Sequence, residues 1–293
     1  MTPSTETLVL DFDRSVKLPG NTCHKLDLHR YEEKIRYCAS MHVMHELESE
    51  IIDEIRRHRI FLLGNGDFHH LSYLLIKNMP HQNMHVAVFD NHPDNMFFPS
   101  GIHCGSWVYH ASKLPHVSEI SVFGIASGDM KGLNIVQHRL SAIRSGKVKY
   151  YCVSPVGRIM KLAGSPHIKE IGTDYRSILQ EVAERLLPLN TPIYLSIDKD
   201  VLASDYILTT WDQGRLSEDD LMKCIEMLSP RVVAADITGD ISSYTFQSLL
   251  KKILRWVDGS ARTPAFTTED LQKHQVLNLK ILSYLTQKKE LLT

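Results

Sequence analysis

The chain has 293 residues, with 33 lysines and arginines against 34 aspartates and glutamates and a formal net charge of −1. Hydrophobic residues make up 43% of it, an ordinary share for a globular protein with a sizeable core. This even balance of charge argues against a nucleic-acid binder or a membrane-surface protein, so the partner that we expect is a small-molecule substrate.

Cysteine usage and the N-terminus point to the cytoplasm. The five cysteines are scattered and form no Cys-x-x-Cys pair, which favours a reducing compartment. The N-terminal sequence lacks the basic and apolar regions of a signal peptide, and no apolar run approaches the length of a membrane span. We therefore expect a cytoplasmic protein.

Short apolar runs alternate along the chain with stretches whose apolar residues recur every three or four positions. Such runs favour strands buried on both faces, and the periodic stretches predict helices. The predicted strands are Leu8–Leu10, Ile60–Leu63, Val86–Phe89, Ile120–Phe123, Tyr150–Val153, Ile193–Ile197 and Val232–Ala235. The predicted helices cover 32–58, 133–144, 174–187, 217–228, 245–256 and 268–287. The alternation predicts one α/β domain over residues 1–293, a three-layer α/β/α arrangement around a mostly parallel sheet of about eight strands.

Acidic residues and histidines follow four of the predicted strands. The segments are Gly64–His70, Asp90–Asn95, Asp198–Asp200 and Asp236–Asp240. The carboxyl ends of parallel strands meet at one edge of a sheet, where open α/β proteins bind their ligands. We therefore expect these segments to converge on one site.

The segment after the third predicted strand reads Asp-Asn-His-Pro-Asp. Asp90, His92 and Asp94 are alternate residues, so their side chains face one side just past a strand. Carboxylates combined with an imidazole suit a borderline-hard divalent ion such as manganese. Taken alone, the motif leaves both a metal site and a solvated turn open.

Two more carboxylates, Asp198 and Asp200, end an apolar run. Neighbouring buried carboxylates are costly unless a cation lies between them. Pairing with Lys199 in a surface loop is the alternative, but Lys199 should point away from both acids. The turn before the helix that begins near Leu71 adds His69 and His70, one of which we expect to be a further ligand beside these acids.

The order and spacing of these segments resemble the motifs of the arginase, agmatinase and formimidoylglutamase family, the ureohydrolases. That family has a Gly-Gly-Asp-His turn, a D-x-H-x-D motif and an S-x-D-x-D motif, each after a strand, and the resemblance spans roughly residues 55–245. It implies an arginase-like fold, two manganese ions per chain and hydrolysis of a C–N bond other than a peptide bond. It is also compatible with a homo-oligomer.

The resemblance implies which residues hold the two ions. The implied ligands are His69, Asp90, His92, Asp94, Asp198 and Asp200. Asp90 and Asp198 would contact both ions. His69 is preferred to His70 because the sequence that starts at His69 better matches the H-E-x-A-Y-G turn of the formimidoylglutamases.

A third histidine, His103, lies in Ser-Gly-Ile-His-Cys-Gly, which resembles the segment S-G-N-L-H-G that carries the proton shuttle of the family. The resemblance implies that His103 protonates the leaving nitrogen. A loop histidine with no catalytic part is the alternative.

The sequence departs from the family where the substrate is held. The family segment D-I-x-E places a glutamate against the guanidinium of arginine or agmatine, and here the segment ends in Gly239. Asp240 is the neighbouring acid that could replace the glutamate. We therefore expect a substrate other than arginine or agmatine. Two alternatives stay open: a catalytically idle arginase-fold protein that binds metal, and a single-zinc deacetylase-like amidohydrolase.

Overall fold

The structure is a computed structural model that describes residues 7–19, 22–131, 138–172, 176–188, 190–257 and 265–286. Its strands are β1 (Thr7–Asp11), β2 (Cys23–Asp27), β3 (Cys38–Ala39), β4 (Ile60–Asn65), β5 (Met84–Phe89), β6 (Ile102–His103), β7 (Val117–Ile125), β8 (Val148–Cys152), β9 (Ile168–Glu170), β10 (Ile193–Asp198) and β11 (Val232–Asp240). Its α-helices are α1 (Glu32–Ile35), α2 (Met41–Arg57), α3 (Leu71–Lys77), α4 (Trp107–Ser112), α5 (Leu140–Arg144), α6 (Arg158–Gly164), α7 (Arg176–Leu186), α8 (Glu218–Leu228), α9 (Leu249–Val257) and α10 (Thr268–Thr286).

A nine-stranded sheet runs through the molecule in the order β2-β1-β4-β11-β10-β5-β7-β8-β9. Every neighbouring pair in it is parallel. The predicted parallel sheet is confirmed. The sequence did not reveal β2 and β9, which form the two edges of this sheet; they are short or half exposed and lack an apolar run. It also did not reveal β3 and β6, two-residue strands that pair in a separate antiparallel sheet.

Helices cover both faces of the sheet, because alternate residues of the central strands point to opposite sides. In β4, Phe61 and Leu63 pack with the helices from α2 to α6, whereas Ile60 and Leu62 pack with α7, α8 and α10. The predicted three-layer arrangement is thereby confirmed. No helix within the described ranges is long and apolar enough to cross a membrane.

The prediction of one helix over residues 32–58 is wrong. Helix α1 ends at Ile35, and α2 begins at Met41 behind Ser40, whose hydroxyl caps it by accepting from the amide of Val43 at 3.3 Å. Tyr37 between them adopts a left-handed backbone with φ of 72°. The helix is interrupted here because the side chain of Arg36 points inward and pairs with three buried carboxylates.

The other predicted helices agree with the structure to different extents. The predictions for 217–228 and 268–287 match α8 and α10 closely, and the helix predicted from residue 245 begins at Leu249. Parts of the predictions for 133–144 and 174–187 lie outside the described residues; the remainder forms α5 and α7.

Candidate metal centre

The carboxyl ends of β4, β11, β10 and β5, neighbours at the middle of the sheet, bring three of the predicted segments together. The turn after β4 carries His69, the loop after β5 carries Asp90, His92 and Asp94, and β10 ends at Asp198. These segments are far apart in sequence and adjacent only because β10 pairs with β5.

His69 lies at the centre of a carboxylate cluster. Its Nδ1 atom is 3.2 Å from Asp90 Oδ2, 3.1 Å from Asp94 Oδ2 and 3.4 Å from Asp198 Oδ2. One ligand atom each from His69, Asp90 and Asp94 lies within 4.8 Å of the others, close enough to share one metal ion. Of the two turn histidines, His69 is thus the one that faces the acids.

The far side of the His69 ring is held by a chain of buried hydrogen bonds. The hydroxyl of Ser196 lies 3.0 Å from His69 Nε2 and donates to Asp236 Oδ1 at 2.8 Å, and Asp236 also accepts from the hydroxyl of Tyr194. Because the hydroxyl of Ser196 donates its proton to Asp236, the oxygen of that hydroxyl accepts from the Nε2–H of His69. Nδ1 is therefore the ring atom that faces the carboxylates, and although burial acts to lower it, these acids raise the pKa of His69 well above its ordinary value; Nδ1 can bind a metal once this proton has left.

In three of the carboxylates, one oxygen accepts a hydrogen bond from a backbone amide and the second oxygen does not. Asp90 Oδ1 accepts from the amide of His92 at 2.7 Å, Asp198 Oδ1 from the amide of Asp200 at 3.0 Å, and Asp200 Oδ1 from the amide of Asn91 at 3.1 Å. Asp90 Oδ2 and Asp198 Oδ2 face His69 Nδ1, and Asp200 Oδ2 lies 3.5 Å from His92 Nε2. The backbone hydrogen bonds therefore orient these carboxylates so that their second oxygens point into the cluster.

His92 lies on the other side of the cluster, among further acids. Its Nε2 is 3.5 Å from Asp200 Oδ2 and 3.0 Å from Asp212 Oδ1, and its Nδ1 is 2.8 Å from Asp129 Oδ2. Although burial acts to raise it, the hydrogen bond and charge of His92 lower the pKa of Asp129 to about 2. Asp129 is therefore an ionised partner that orients the ring of His92.

The backbone at Asp94 is strained, with a left-handed φ of 46° that few non-glycine residues adopt. The carboxylate is held by Trp107, whose indole donates to Asp94 Oδ2 at 2.6 Å. Such strain is typical of residues whose position is fixed by function.

The chemistry of the cluster fits divalent cations. Burial, with the charges of Asp94 and Asp198 adding, raises the pKa of Asp90 to about 7 although His69 acts to lower it, and burial beside Asp198 and Asp90 raises the pKa of Asp200 well above its ordinary value. Among the described residues, the ion pairs of the four cluster carboxylates are all to histidine, and none is to lysine or arginine. Two divalent cations would balance the charge of four carboxylates and offset the free-energy cost of burying them.

Beside the cluster, His103 packs in an aromatic pocket. Its ring contacts Tyr37 edge-on with centroids 4.3 Å apart and lies 5.4 Å from the ring of Phe98. The amide of Gly105 donates to His103 Nδ1 at 2.9 Å, so the proton of the neutral ring is on Nε2. Burial, with a smaller effect of the nearby His103, lowers the pKa of His70 well below its ordinary value, which indicates that His103 lies close to the turn that carries His69.

Gly239 presses against one of the candidate ligands. Its φ is +87°, and a Cβ atom at this position would lie 2.5 Å from Asp198 Oδ1 and 2.9 Å from the amide nitrogen of Lys199. Neither the backbone conformation nor the space admits a glutamate here.

Asp240 is not the replacement for that glutamate, so this expectation is wrong. The carboxylate of Asp240 pairs with Lys199 at 2.7 Å and accepts from Asn278 at 3.1 Å, all three being buried. Lys199 points away from Asp198 and Asp200, as predicted. Asp240 is thus occupied in balancing the charge of this lysine.

Trp211, Asp212 and Asp129 belong to the site, but sequence reasoning missed them. The Nε1 atom of Trp211 is buried and has no hydrogen-bond partner among the described residues, and the Trp211 ring lies against Gly66 and 5.9 Å from His92. The signal for Asp129 was present but misread, because β7 runs on to Ile125 and Asp129 then follows a strand end. No local pattern marks Trp211 or Asp212.

The chain is similar to known proteins both in sequence and in fold. A sequence model of the Arginase family matches residues 7–239. An uncharacterised protein of Thermotoga maritima is 29% identical over 209 residues, which are 71% of this chain and 68% of that protein. A putative agmatinase from Clostridium difficile has a similar structure, with a TM-score of 0.59, 14% identity and 98% of both chains covered. A formiminoglutamase of Trypanosoma cruzi, solved with Mn²⁺, gives a TM-score of 0.51 at 11% identity and covers 86% of this chain and 74% of its own.

Proposed function

Because the chain belongs to the arginase family, we propose that it hydrolyses a C–N bond other than a peptide bond and uses two manganese ions per chain. The observation that carries this proposal is the cluster of four buried carboxylates and two histidines with no basic partner among the described residues. Divalent ions held there supply a water of lowered pKa and polarise the carbon that is attacked.

In this proposal the two histidines would belong to different sets of ligands. His69 and Asp94, which are in contact, would complete one set, and His92 and Asp200 would complete the other. Asp90 and Asp198 would contribute to both, as the family resemblance implies. Oxygen and imidazole donors of this kind suit manganese, while a thiolate, which would favour softer ions, is not part of the described cluster.

His103 is the proton donor in this proposal. Its Nδ1 accepts from Gly105, so the transferable proton is on Nε2 and the ring is neutral. A neutral imidazole beside the reaction site can protonate a leaving amine, which is the step that C–N cleavage needs. Tyr37 and Phe98 fix the ring plane by packing against it.

We propose a substrate other than arginine or agmatine. A guanidinium needs a buried carboxylate partner, and Gly239 and Asp240 provide none at the position where the family has its glutamate. The unpaired Nε1–H of Trp211 instead offers a hydrogen bond to an acceptor atom on the substrate.

Metal content per chain tests the proposal. We expect two manganese ions per chain by elemental analysis after purification without chelator and manganese loading. Asp198→Asn should lose the metal and the activity, because this carboxylate belongs to both sets of ligands. Asp205→Asn, an exposed aspartate that follows the same strand, is the matched control and should keep both ions.

Other outcomes would replace the proposal. One zinc per chain would favour the deacetylase-like alternative, and absence of metal at both stages would contradict the enzyme proposal. Bound manganese with no turnover of guanidino, amidino or formimino compounds would favour an idle metal-binding protein. A cytoplasmic location and a homo-oligomer remain predictions.

A further inference from the structure

A second group of metal-ligand side chains lies away from the carboxylate cluster. His24 belongs to the edge strand β2, Glu54 to the last turns of α2, and His58 follows that helix directly. One ligand atom from each lies within 4.8 Å of the other two. These residues lie at the start of β2 and just before β4, near the amino ends of the strands, so the group is separate from the site at their carboxyl ends.

The distances in this group are those that a tetrahedral ion requires. Donor atoms about 2.1 Å from a tetrahedral zinc ion are about 3.4 Å apart. Glu54 Oε2 is 3.5 Å from His24 Nδ1 and also 3.5 Å from His58 Nδ1, and the two imidazole rings have centroids 5.6 Å apart. The three donors therefore need little movement to surround one ion.

The two oxygens of Glu54 have different neighbours. Arg57 donates to Oε1 at 3.0 Å, which leaves Oε2 for the two histidines. His58 is buried and held at the end of α2, where its Nδ1–H donates to the carbonyl oxygen of Glu54 at 2.8 Å. The ring is thus fixed beside Glu54, and binding of a metal by Nδ1 requires that this proton leave. The side chain of His24, 49% exposed, gives access from solvent.

We propose that His24, Glu54 and His58 bind one divalent ion of the zinc class, with water completing the shell. Two imidazoles and a carboxylate suit zinc, copper and nickel better than magnesium or calcium. The bound ion would join the edge strand β2 to helix α2. Its role is therefore structural, and it does not depend on the activity proposed above.

Helix α2 also carries histidine–glutamate pairs that lack a third metal-ligand side chain. His42 lies 3.4 Å from Glu46, and His45 lies 3.6 Å from Glu48. Neither pair belongs to a group of three donors among the described residues. His45→Ala is accordingly a matched control, because it removes an exposed histidine beside a glutamate without removing a ligand.

Zinc titration of the full-length protein tests this proposal. After the carboxylate cluster is loaded with manganese, zinc bound per chain and the rise in Tm are measured for the wild type, His24→Ala and His45→Ala. We expect His24→Ala to bind one zinc fewer and to lose most of the zinc-dependent rise in Tm, while His45→Ala behaves as the wild type. Asp198→Asn should retain this zinc, which separates the result from that of the catalytic proposal.

Crystals soaked in zinc give an independent measurement. An anomalous peak between His24, Glu54 and His58 is expected at the zinc edge. Equal zinc binding by the wild type and His24→Ala, or the absence of that peak, would overturn the proposal.

Discussion

At the scale of single residues, Gly239 couples the backbone of β11 to a candidate metal ligand. Its left-handed φ and its closeness to Asp198 Oδ1 leave no room for a side chain. This explains why the glutamate of the family cannot simply be restored by substitution. We therefore propose that this position influences both metal binding and the class of substrate.

Gly239→Ala should impair manganese binding. The added Cβ must displace Asp198 by pushing on its carboxylate, in addition to a backbone cost of about 1–3 kcal/mol. Gly172→Ala is the control, because Gly172 has a similar φ of +74° but no atom of the described residues lies within 4 Å of its would-be Cβ. Calorimetric titration with manganese should show weakened binding for Gly239→Ala and unchanged binding for Gly172→Ala; equal affinities would contradict the proposed coupling.

The residues of the cluster could be predicted because their signals are local. Asp90, His92 and Asp94 alternate directly after a strand, and Asp198 and Asp200 do the same. Trp211 and Asp212 could not be predicted, since they reach the cluster from a loop whose path depends on contacts made across the fold. The choice of His69 over the adjacent His70 came from the family resemblance, and the short distances from His69 to the acids agree with it.

At the scale of elements, the break between α1 and α2 depends on Arg36. This guanidinium is 1% exposed and contacts Asp13, Glu32 and Asp67, so it joins the loop after β1, helix α1 and the turn after β4. The apolar periodicity of residues 32–58 continues through the break, so it predicted one helix. A buried charge that needs several distant partners outweighs a helical pattern, and the sequence does not reveal those partners.

Arg36→Met should destabilise the protein by about 3–5 kcal/mol, because it removes the cation shared by three buried carboxylates, of which, among the described residues, Asp67 alone keeps a second arginine partner, Arg255. Arg30→Met, which removes an arginine 66% exposed at its pair with Glu50, should cost much less, because water screens an exposed ion pair. Urea unfolding followed by circular dichroism measures both. A similar small loss in the two variants would show that the Arg36 network adds little to stability.

At the scale of the whole molecule, the carboxylate cluster should make stability depend on pH in opposite ways with and without metal. In the metal-free protein the pKa of Asp90 is about 7, and the pKa values of His69 and His92 are also raised. Groups with a raised pKa hold protons that the unfolded chain releases, so their stabilisation is complete at low pH and is lost as pH rises. For Asp90 the loss extends from about pH 4 to about pH 7.

Manganese requires the deprotonated forms, so its stabilising effect should grow with pH. We expect the stabilisation by a fixed manganese concentration to be larger at pH 8 than at pH 6 by about 1–2 kcal/mol. Thermal unfolding with and without manganese at both pH values measures this difference. An effect of equal size at the two values would mean that these groups do not release protons on binding.

One domain over residues 1–293 stays a prediction that the same unfolding curves address. The sheet passes through the described molecule without interruption from β2 to β9. A single domain should therefore give one cooperative transition.

The order of the sheet also has a consequence for synthesis on the ribosome. Strands β4 and β5 follow one another in the chain, yet β11 and β10 separate them in the sheet. A nascent chain that ends before β10 thus holds two half-sheets, each with an open apolar edge, and no complete set of acids for a metal. Those edges can pair wrongly with other chains until the last two strands are inserted between them. A ribosome that pauses before β10 would prolong this exposed state, so the final third of translation is the interval in which the protein most needs a chaperone.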